Sequence, residues 1–489
     1  MEKTHTQSFA LVIIGAGPGG IAAAKAAALR GLRVALINYG HLMGYGLEGA
    51  FKSKSLYEIA RAHRAVHHRW SLAQGGYQID FDAIYRANQE GAQGLRHVHR
   101  QQLIDMGVAL FEGFGTFVDP HTIAVMKHDQ EIARLVAEHI IVATGTRPRL
   151  LPGLRPIPQK ILTSDEIVDT SAPAASMLVL GAGVIGCEFA SIFAALGTKV
   201  TLLDTRERIF SHDDEDISAL LQHGLRETGV EIIPSIRCKQ IFLEQEKVHT
   251  LLEDGREIIT ETALLAIGRT PNVEGLHLER AGIRTNAHGS ILVSDTMQTN
   301  IPHIYAVGDL GLRDTEHDLS LVHVAEAEGR TAIQAICGEP QPLKLEYVPF
   351  LVFTLPMIAG AGLSEHEARK KYGAIRVGKW SHTRNHRAHA MSSHRGFVKL
   401  IVAPEGDDRV LGVRGIGDGV DAVIGEVAVM IQYQLPYTCL LHTTQAHPSF
   451  SESLRGAADL IAGHAHPYQE DEEYAREVFA AHLSTGAIL

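Results

Sequence analysis

The chain contains two copies of one pattern of apolar and polar positions. Each copy begins with a short apolar run, at 11–14 and at 177–180, which leads into a glycine-rich loop. An alanine-rich stretch of helical character follows, and then a second apolar run that ends at Asn38 or at Asp204. Gly15 and Gly181 are 166 positions apart, as are Asn38 and Asp204. The pattern predicts two β-strand–α-helix–β-strand units.

Both glycine-rich loops have the spacing GxGxxG. In such a unit the first glycine permits a tight turn, the second lets the backbone approach a pyrophosphate, and the third lets the helix pack closely on the strand. The N-terminus of the helix then presents free N–H groups to the phosphates. One GxGxxG alone is often only a tight turn, but both copies here have the complete unit. The predicted dinucleotide-binding glycines are Gly15, Gly17 and Gly20 in the first copy and Gly181, Gly183 and Gly186 in the second.

The residue that ends the second strand of each unit should hold a ribose hydroxyl. In the second copy this residue is Asp204, which favours NAD because a carboxylate repels a 2′-phosphate. Arg206 and Arg208 follow closely and leave NADP open. In the first copy the residue is Asn38, whose amide binds a hydroxyl less strongly than a charged acceptor would.

Composition and charge limit the classes of protein to which the chain can belong. The chain has 489 residues, 45% hydrophobic and 21% charged, which predicts a globular protein of about three domains. The formal net charge of −11 disfavours a general nucleic-acid or anionic-membrane binder. No apolar run approaches the ~20 residues of a membrane span. The four cysteines form no CxxC pair, so we expect neither a disulfide framework nor a cysteine-built zinc site, and a cytoplasmic location.

Further motifs give the chain a resemblance that covers nearly its whole length. It resembles the dihydrolipoamide dehydrogenase and glutathione reductase group of FAD-dependent pyridine nucleotide oxidoreductases. The segments that carry this resemblance are ATGTRP at 143–148 with Thr144 and Gly145, AIGRTPN at 266–272 with Gly268, TNIPHIYAVGD at 299–309 with Asp309, LVHVA at 321–325 with Leu321 and His323, and HPSFSE at 447–452. The resemblance implies that the residues named from three of these segments, 143–148, 299–309 and 321–325, contribute to the flavin site, whereas 266–272 resembles the exit from the NAD domain.

The resemblance also implies the fold class, an α/β architecture with two Rossmann-like dinucleotide-binding domains, for FAD and for NAD, and a C-terminal α+β dimerisation domain. The FAD-binding domain would comprise residues 1–155 and 276–345, with the NAD(P)-binding domain between them at 156–275. Residues 346–489 would form the interface domain of a homodimer, with a C-terminal helical extension.

The chain departs from this family at the redox centre. Family members carry a CxxxxC disulfide just before a Ser-Lys pair, which here is Ser53-Lys54. Counting back from this pair, the two cysteine positions are Tyr45 and Ala50, and neither can carry electrons as a dithiol. Tyr45 could stack on a flat acceptor or simply fill the space. We interpret the four cysteines as small buried hydrophobic residues.

Two charged pairs of the family are retained. Lys54 and Glu188 match an ion pair near the flavin N5, where fixed charge would tune the ring; the alternative is a plain salt bridge between domains. His447 and Glu452 match the family's acid/base pair. Without thiols, His447 could protonate a quinone oxygen, or the pair could have only a structural role at the dimer interface.

Histidine is plentiful, with 28 residues, and several histidines are clustered. His63, His67 and His68 form one cluster. Within it, His63 and His67 have the i, i+4 spacing of a helical metal site but no companion ligands in register, so we predict no metal and a solvated surface. The same interpretation applies to the other clusters, His382, His386, His389 and His394, and His464 and His466. Residues 470–483 are predicted to form a surface helix with an acidic start.

Three functions remain open from the sequence. The first is an NADH-dependent flavin oxidoreductase that passes electrons directly to a quinone or another small acceptor, with poor or no activity on lipoamide. The second is transhydrogenase-like transfer between NADPH and NAD. The third is a non-catalytic FAD-binding homologue that acts as a subunit of a complex.

Overall fold

The computed structural model describes residues 6–66, 79–170, 172–313 and 320–465. Contacts divide the chain into two compact units. The first comprises residues 1–53, 82–149 and 268–344, and the second comprises residues 54–81, 150–267 and 345–489. The domain limits given above remain predictions.

The α-helices and β-strands are numbered in chain order. The helices are α1 Pro18–Leu29, α2 Lys52–Arg64, α3 Phe81–Asp105, α4 Val184–Ala195, α5 Glu215–Glu227, α6 Val322–Ile336, α7 Glu365–Tyr372, α8 His386–Ala390, α9 Asp421–Gln432, α10 Thr438–His442 and α11 Glu452–Ile461. The strands are β1 Thr6–Ile14, β2 Val34–Asn38, β3 Ala109–Glu112, β4 Phe114–Asp119, β5 Thr122–Lys127, β6 Gln130–Val142, β7 Thr146–Pro148, β8 Ile161–Thr163, β9 Ser176–Leu180, β10 Lys199–Leu203, β11 Glu231–Ile233, β12 Cys238–Glu244, β13 Lys247–Leu252, β14 Glu257–Thr260, β15 Thr262–Leu265, β16 Arg269–Pro271, β17 Ile291–Val293, β18 Ile304–Ala306, β19 Gly311–Arg313, β20 Phe350–Val352, β21 Ile358–Gly362, β22 Arg376–Ser381, β23 Phe397–Val402 and β24 Val410–Ile416.

The first unit is built on a seven-stranded sheet. Its order is β3-β2-β1-β6-β5-β4, with β18 paired to β6. Strands β3, β2, β1, β6 and β18 run parallel, while β4, β5 and β6 form an antiparallel meander. Leu11, Val12 and Ile13 of β1 are fully buried, as expected for the central strand of a sheet that is covered on both faces.

Helices α1 and α6 cross closely in the first unit. A Cβ added to Gly329 of α6 would overlap the backbone of Gly19 and Ala23 in α1. Small residues therefore let the two helix backbones approach, and α1 buries alanines on the same face. This packing fixes the start of α1, where the first glycine-rich loop ends.

The described residues of the second unit form three sheets. A parallel sheet of order β11-β10-β9-β15-β8 holds the second glycine-rich loop, and β12-β13-β14 form an antiparallel sheet. A five-stranded antiparallel sheet of order β20-β21-β24-β23-β22 supports α11, which packs on β22 and β23. Gly456 of α11 lies against the ring of Trp380 on β22, where a side chain would overlap the indole.

Two expectations about burial are wrong in part. Cys187 is buried, but Cys337 and Cys439 are exposed, so these two are not core residues. His382 is fully buried, not solvated, because its Nε2 can hydrogen-bond the carbonyl oxygen of Asp418, 3.1 Å away. Burial lowers the pKa of His382 to about 4.

Some expectations fall outside the described residues. These include His67, His68, His466 and the predicted helix at 470–483. Within the ranges that the structure describes, no helix has the length and apolar character needed to cross a membrane.

Candidate functional site

The first glycine-rich loop has the shape that the sequence predicts. Gly15 has φ +111°, and a Cβ there would overlap the carbonyl of Ala143. A Cβ at Gly20 would overlap the carbonyl of Gly15. Gly17 differs, since a Cβ would come no nearer than 3.9 Å to Ala143. Gly15 and Gly20 are thus required by packing, while Gly17 leaves open space at the N-terminus of α1, where a phosphate could approach.

The second loop repeats this geometry in the second unit. Gly181 has φ +101°, and Gly186 packs against the carbonyl of Gly181 as Gly20 does against that of Gly15. A Cβ at Gly183 would meet nothing within 4 Å. Gly17 and Gly183 begin α1 and α4 without a side-chain cap. Both helix N-termini therefore fit a diphosphate group.

Asn38 ends β2 and Asp204 directly follows β10, and the two residues have different local bonds. Asp204 accepts hydrogen bonds from the backbone N–H of Ala182, at 2.6 Å, and of Arg206, at 2.8 Å. Its carboxylate is thus fixed beside the glycine-rich loop. Asn38 donates its Nδ2 to the carbonyl of Gly40, at 2.9 Å, which directs the amide oxygen to be the acceptor for a ribose hydroxyl.

Asp309 lies within the turn at 308–311 that follows β18. The turn is held by the buried carboxylate of Glu328, which accepts the N–H of Gly308 at 2.6 Å. Asp309 accepts the hydroxyl of Thr146 at 3.3 Å. Burial raises the pKa of Asp309, and the charge of Arg269 and the Thr146 hydrogen bond offset this only in part.

The motifs at 143–148 and 266–272 contain β7 and β16, which both lie in the first unit. These two strands pair antiparallel, and Thr144 exchanges hydrogen bonds with Asn272. Gly145 and Gly268 have positive φ angles of 64° and 105°, so both are turn positions that favour glycine. Their predicted part in binding FAD or NAD stays a prediction.

Helix α6 begins where LVHVA predicts. Leu321 is the N-cap residue and is partly buried, and His323 in the first turn is exposed. No side-chain cap closes this N-terminus. It is a third helix start that fits an electron-rich group, in keeping with the predicted position beneath the flavin.

Tyr45 fills space in the segment where the resemblance places the first cysteine. A Cβ added to Gly49 would overlap three adjacent carbons of the Tyr45 ring, so the ring lies with its face against the Gly49 backbone. The guanidinium of Arg269 lies over the same ring, 4.3 Å from its centre. Residues Gly46–Phe51 form a π-helical turn. The tyrosine is therefore packed as a wedge, and its faces are in contact with protein.

A buried charge cluster lies next to this wedge and was missed by the sequence analysis. Lys52 is 1% exposed and contacts Glu48, at 2.8 Å. Arg96 of α3 reaches the other oxygen of Glu48, at 2.9 Å. The i, i+4 spacing of Glu48 and Lys52 could have indicated the pair, but nothing in the sequence indicated its burial. Ala50, between them, accepts the hydroxyl of Ser53 at 3.1 Å.

Lys54 and Glu188 are brought together in the second unit. The Lys54 Nζ lies 3.1 Å from Oε2 of Glu188, whose Oε1 accepts the backbone N–H of Phe353 at 2.8 Å. Lys54 Nζ also lies 4.7 Å from the centre of the Phe353 ring. Glu188 is 5% exposed. Its buried carboxylate is held by one cation and one backbone donor. The pair predicted from the sequence therefore forms.

His447 and Glu452 also form their predicted pair. The Nδ1 of His447 lies 2.8 Å from Oε1 of Glu452, and Oε2 accepts the N–H of Ser449 at 2.9 Å. Burial opposes ionisation of Glu452. The hydrogen bonds from His447 and Ser449 and the charges of His447 and His386 outweigh that effect, so the pKa of Glu452 lies below its usual range. An ionised Glu452 fixes the Nδ1–H tautomer of His447.

Comparison with known proteins assigns the chain to a family. The sequence profile described as "Pyridine nucleotide-disulphide oxidoreductase" matches residues 9–329, and the dimerisation domain of the same family matches residues 348–458. A dihydrolipoyl dehydrogenase of Bacillus subtilis is 34% identical over 461 residues, which cover 91% of this chain and 97% of the relative. One of Chlamydia pneumoniae is 32% identical, over 94% and 98% of the two chains.

Solved structures agree with these sequence matches. LpdA from Mycobacterium tuberculosis has a TM-score of 0.86 at 28% identity, covering 92% of this chain and 99% of the other. The HOCl-induced flavoprotein disulfide reductase RclA from Escherichia coli has a TM-score of 0.81 at 28% identity, over 92% and 99%. The predicted fold class is confirmed, and the predicted cofactors, FAD and NAD, are those of this group. The chain therefore belongs to the pyridine nucleotide-disulphide oxidoreductase family.

Proposed function

We propose that this protein is an FAD-dependent NADH oxidoreductase that reduces a quinone-like or other small two-electron acceptor directly, without a redox disulfide. One observation carries the proposal. The two positions that precede Ser53-Lys54 at the cysteine spacing are Tyr45 and Ala50, which contain no sulfur. The four cysteines are unpaired, and Cys187 is buried in α4 of the second unit.

The glycine-rich loop with Gly15, Gly17 and Gly20 would hold the diphosphate of FAD, with Asn38 at the ribose and Asp309 at the ribityl chain or the neighbouring phosphate. When bound, FAD supplies a ring that can take a hydride from NADH and pass two electrons on. The second loop, with Gly181, Gly183 and Gly186, would hold the diphosphate of NAD in the same way. Asp204, already fixed by Ala182 and Arg206, would accept a ribose hydroxyl and disfavour a 2′-phosphate.

Lys54 and Glu188 would supply fixed charge where the hydride arrives. Glu188 is oriented by the Phe353 N–H, so it holds the Lys54 ammonium in place without a second cation among the contacts described. Loss of Lys54 should slow flavin reduction by NADH and leave binding of both cofactors in place. This separates the role from that of a plain salt bridge, whose loss would chiefly lower stability.

Tyr45 would act as a wedge on the acceptor side. Its contacts with Gly49 and Arg269 support the space-filling alternative over stacking on a flat acceptor. His447, held by Glu452, would then belong to an acid/base system that supplies the proton an acceptor needs when it takes a hydride. A homodimer, which the dimerisation domain supports, and a cytoplasmic location complete the proposal.

Anaerobic titration of the purified flavoprotein with NADH tests the proposal. We expect complete bleaching of the flavin without a thiolate-to-flavin charge-transfer band, followed by rapid reoxidation with a benzoquinone. Absence of bleaching would favour the non-catalytic homologue, and reduction of thio-NAD by NADPH would favour the transhydrogenase. Efficient oxidation of dihydrolipoamide would overturn the proposal, and the relatives named dihydrolipoyl dehydrogenase make this assay essential.

A matched pair of variants sharpens the test. The double variant Tyr45→Cys with Ala50→Cys restores the spacing of a redox disulfide, whereas Tyr45→Cys alone cannot form one. We expect the charge-transfer band to appear on reduction of the double variant only. A band in the parent protein would show that a dithiol exists elsewhere.

A further inference from the structure

The strongest unassigned cluster lies beside His447. His386, the first residue of α8, places its Nδ1 3.4 Å from Nε2 of His447, and the two rings meet edge to face with centres 5.0 Å apart. Glu452 holds the opposite nitrogen of His447. Glu452, His447 and His386 thus form one line of hydrogen-bonding groups within the second unit.

The tautomers of the two histidines follow from the hydrogen bond that Glu452 accepts. The Glu452 carboxylate accepts from Nδ1 of His447, so Nε2 of His447 carries a lone pair. That lone pair can only accept, so the hydrogen bond between the rings is donated by Nδ1–H of His386. The Nε2 of His386 is left as the outer atom of the line. The sequence analysis predicted His447 as the acid/base group, whereas in this line His447 is the middle group.

The scaffold holds His386 in this position. Asn385 is 2% exposed and caps α8 by accepting the N–H of Ala388 at 3.1 Å. Its amide nitrogen lies 2.9 Å from the carbonyl of Ser449 and 2.9 Å from the hydroxyl of Ser453. One buried side chain therefore ties the start of α8 to the segment that carries His447 and Glu452.

A cavity opens beside this line. Its volume is about 490 Å³, and His386 and Glu452 are in its wall, whereas His447 is not. The other charged or titratable groups that face it are Arg384, His442, Arg455 and Asp459. Arg455 and Asp459 pair with each other on α11, at 3.1 Å. A small molecule in this cavity would therefore meet His386 before His447.

We infer that His386 is the terminal acid/base of this protein, with His447 and Glu452 as the positioning residues behind it. The inference rests on the proposed function, because it concerns the proton that accompanies the hydride. An acceptor would take its proton from Nε2 of His386, while the hydride would come from the reduced flavin that the proposed function requires. His386 keeps its Nδ1–H on His447, becomes neutral and regains a proton from water. Glu452 and His447 stabilise the charged imidazole as the carboxylate does in a Ser-His-Asp triad.

The experiment compares two acceptors with the same reduced, FAD-loaded full-length protein. Benzoquinone takes up protons on reduction, whereas ferricyanide takes only electrons. Reduction with dithionite makes this test independent of whether NADH is the natural donor. A failure of the proposed function is detected separately, by the NADH titration. We expect His386→Leu to slow reoxidation by benzoquinone about 100-fold, within the range of general acid catalysis, and reoxidation by ferricyanide less than twofold.

Three controls separate proton transfer from positioning. His386→Asn keeps an N–H donor toward His447 but cannot carry a proton, so it should be as slow as His386→Leu. Added imidazole should restore the rate of His386→Leu by occupying the cavity. His389→Leu, on the same helix, should behave as the parent, because its Nε2 contacts only the backbone oxygen of Thr383 in the described contacts.

A spectroscopic readout needs no turnover. The ¹⁵N shift of Nε2 of His447 should move in His386→Leu and stay near the parent value in His386→Asn. The inference is overturned if His386→Leu leaves that shift unchanged, if His386→Asn recovers the parent rate with benzoquinone, or if the parent and His386→Leu share one pH profile for that reaction.

Discussion

Two short segments of the chain match the family's chemistry to different degrees. The segment 44–54 retains Gly49, Ser53 and Lys54 but has Tyr45 and Ala50 where a disulfide would lie. The segment 447–452 retains both His447 and Glu452. The first is stabilised by a packed ring and a buried ion pair, and the second by hydrogen bonds around a carboxylate.

This difference separates two demands of the chemistry. A disulfide carries electrons, whereas a histidine with a carboxylate carries a proton. Under the proposed function, Tyr45 and Ala50 at the cysteine positions and a histidine–carboxylate pair at 447–452 are what a reaction needs when an acceptor takes its hydride without thiols. A protein that had become purely structural would have no need for an ionised Glu452 that orients an imidazole. The contrast therefore supports an enzyme.

The largest expected effect tests the buried ion pair of the first segment. Glu48→Leu removes the carboxylate that faces both Lys52 and Arg96, and we expect a loss of about 4 kcal/mol in unfolding free energy because the buried Lys52 ammonium loses a carboxylate that compensates its charge. Lys52→Met is the matched control. It removes the buried charge and leaves Glu48 with Arg96, so it should cost only about 1 kcal/mol. Urea titrations that give equal losses would contradict this asymmetry.

The packing around the second segment should lose more stability in acid than that around the first. Phe450 within it packs on His382, with ring centres 5.2 Å apart. His382 has a pKa of about 4 when folded, against an ordinary 6.5, so the unfolded chain binds the extra proton between these values. The stabilisation is complete above pH 6.5 and is lost as the pH falls toward 4. By linkage this is about 3 kcal/mol between pH 7 and pH 4.

His382→Gln provides the comparison for this acid effect, since its amide can still donate to the carbonyl of Asp418. We expect the unfolding free energy of the variant to fall less steeply than that of the parent over pH 7 to 4. Parallel curves would show that His382 does not remain neutral in the folded protein.

The wedge in the first segment can be tested by a mutant cycle. Gly49→Ala places a methyl group against the ring of Tyr45, and we expect it to cost about 2 kcal/mol from overpacking. In the background Tyr45→Ala the same change should be neutral or slightly stabilising, because alanine is the better helix former. Thermal unfolding of the parent, the two single variants and the double variant gives the coupling free energy between Tyr45 and Gly49. Additive effects would mean that Tyr45 does not occupy this space.

The sequence predicted what depends on local spacing and left out what depends on the fold. The glycines of both loops, the end of β2 at Asn38 and the start of α6 are set by short patterns, and the structure has them there. Strand β10 ends one residue before the predicted Asp204. The pairing of Lys54 with Glu188, 134 positions apart, came from the resemblance alone. No pattern could indicate that Arg269 would cover Tyr45, since the two lie far apart in the chain.

Burial was the other quantity that sequence could not supply. Lys52 and His382 have polar side chains that are usually exposed. Lys52 is buried beside Glu48, whose other oxygen contacts Arg96 of α3, and His382 is buried beside the carbonyl of Asp418. Conversely, Cys337 and Cys439 are exposed although cysteine is usually buried. His386 was interpreted as solvated surface, and its exposure hid its contact with a residue 61 positions away.

The smallest effect concerns the link between α8 and the second segment. Asn385→Ala removes the cap of α8 and the hydrogen bonds to Ser449 and Ser453, and we expect a loss of about 1–2 kcal/mol in unfolding free energy. Asn385→Asp keeps the cap but loses the donor toward Ser449, so it should retain α8 and still loosen His386 from His447. Benzoquinone reduction should therefore fall in both variants, while ferricyanide reduction stays constant in both. If Asn385→Asp keeps the parent rate with benzoquinone, the position of His386 does not depend on this link, and the second segment would be held by Glu452 alone.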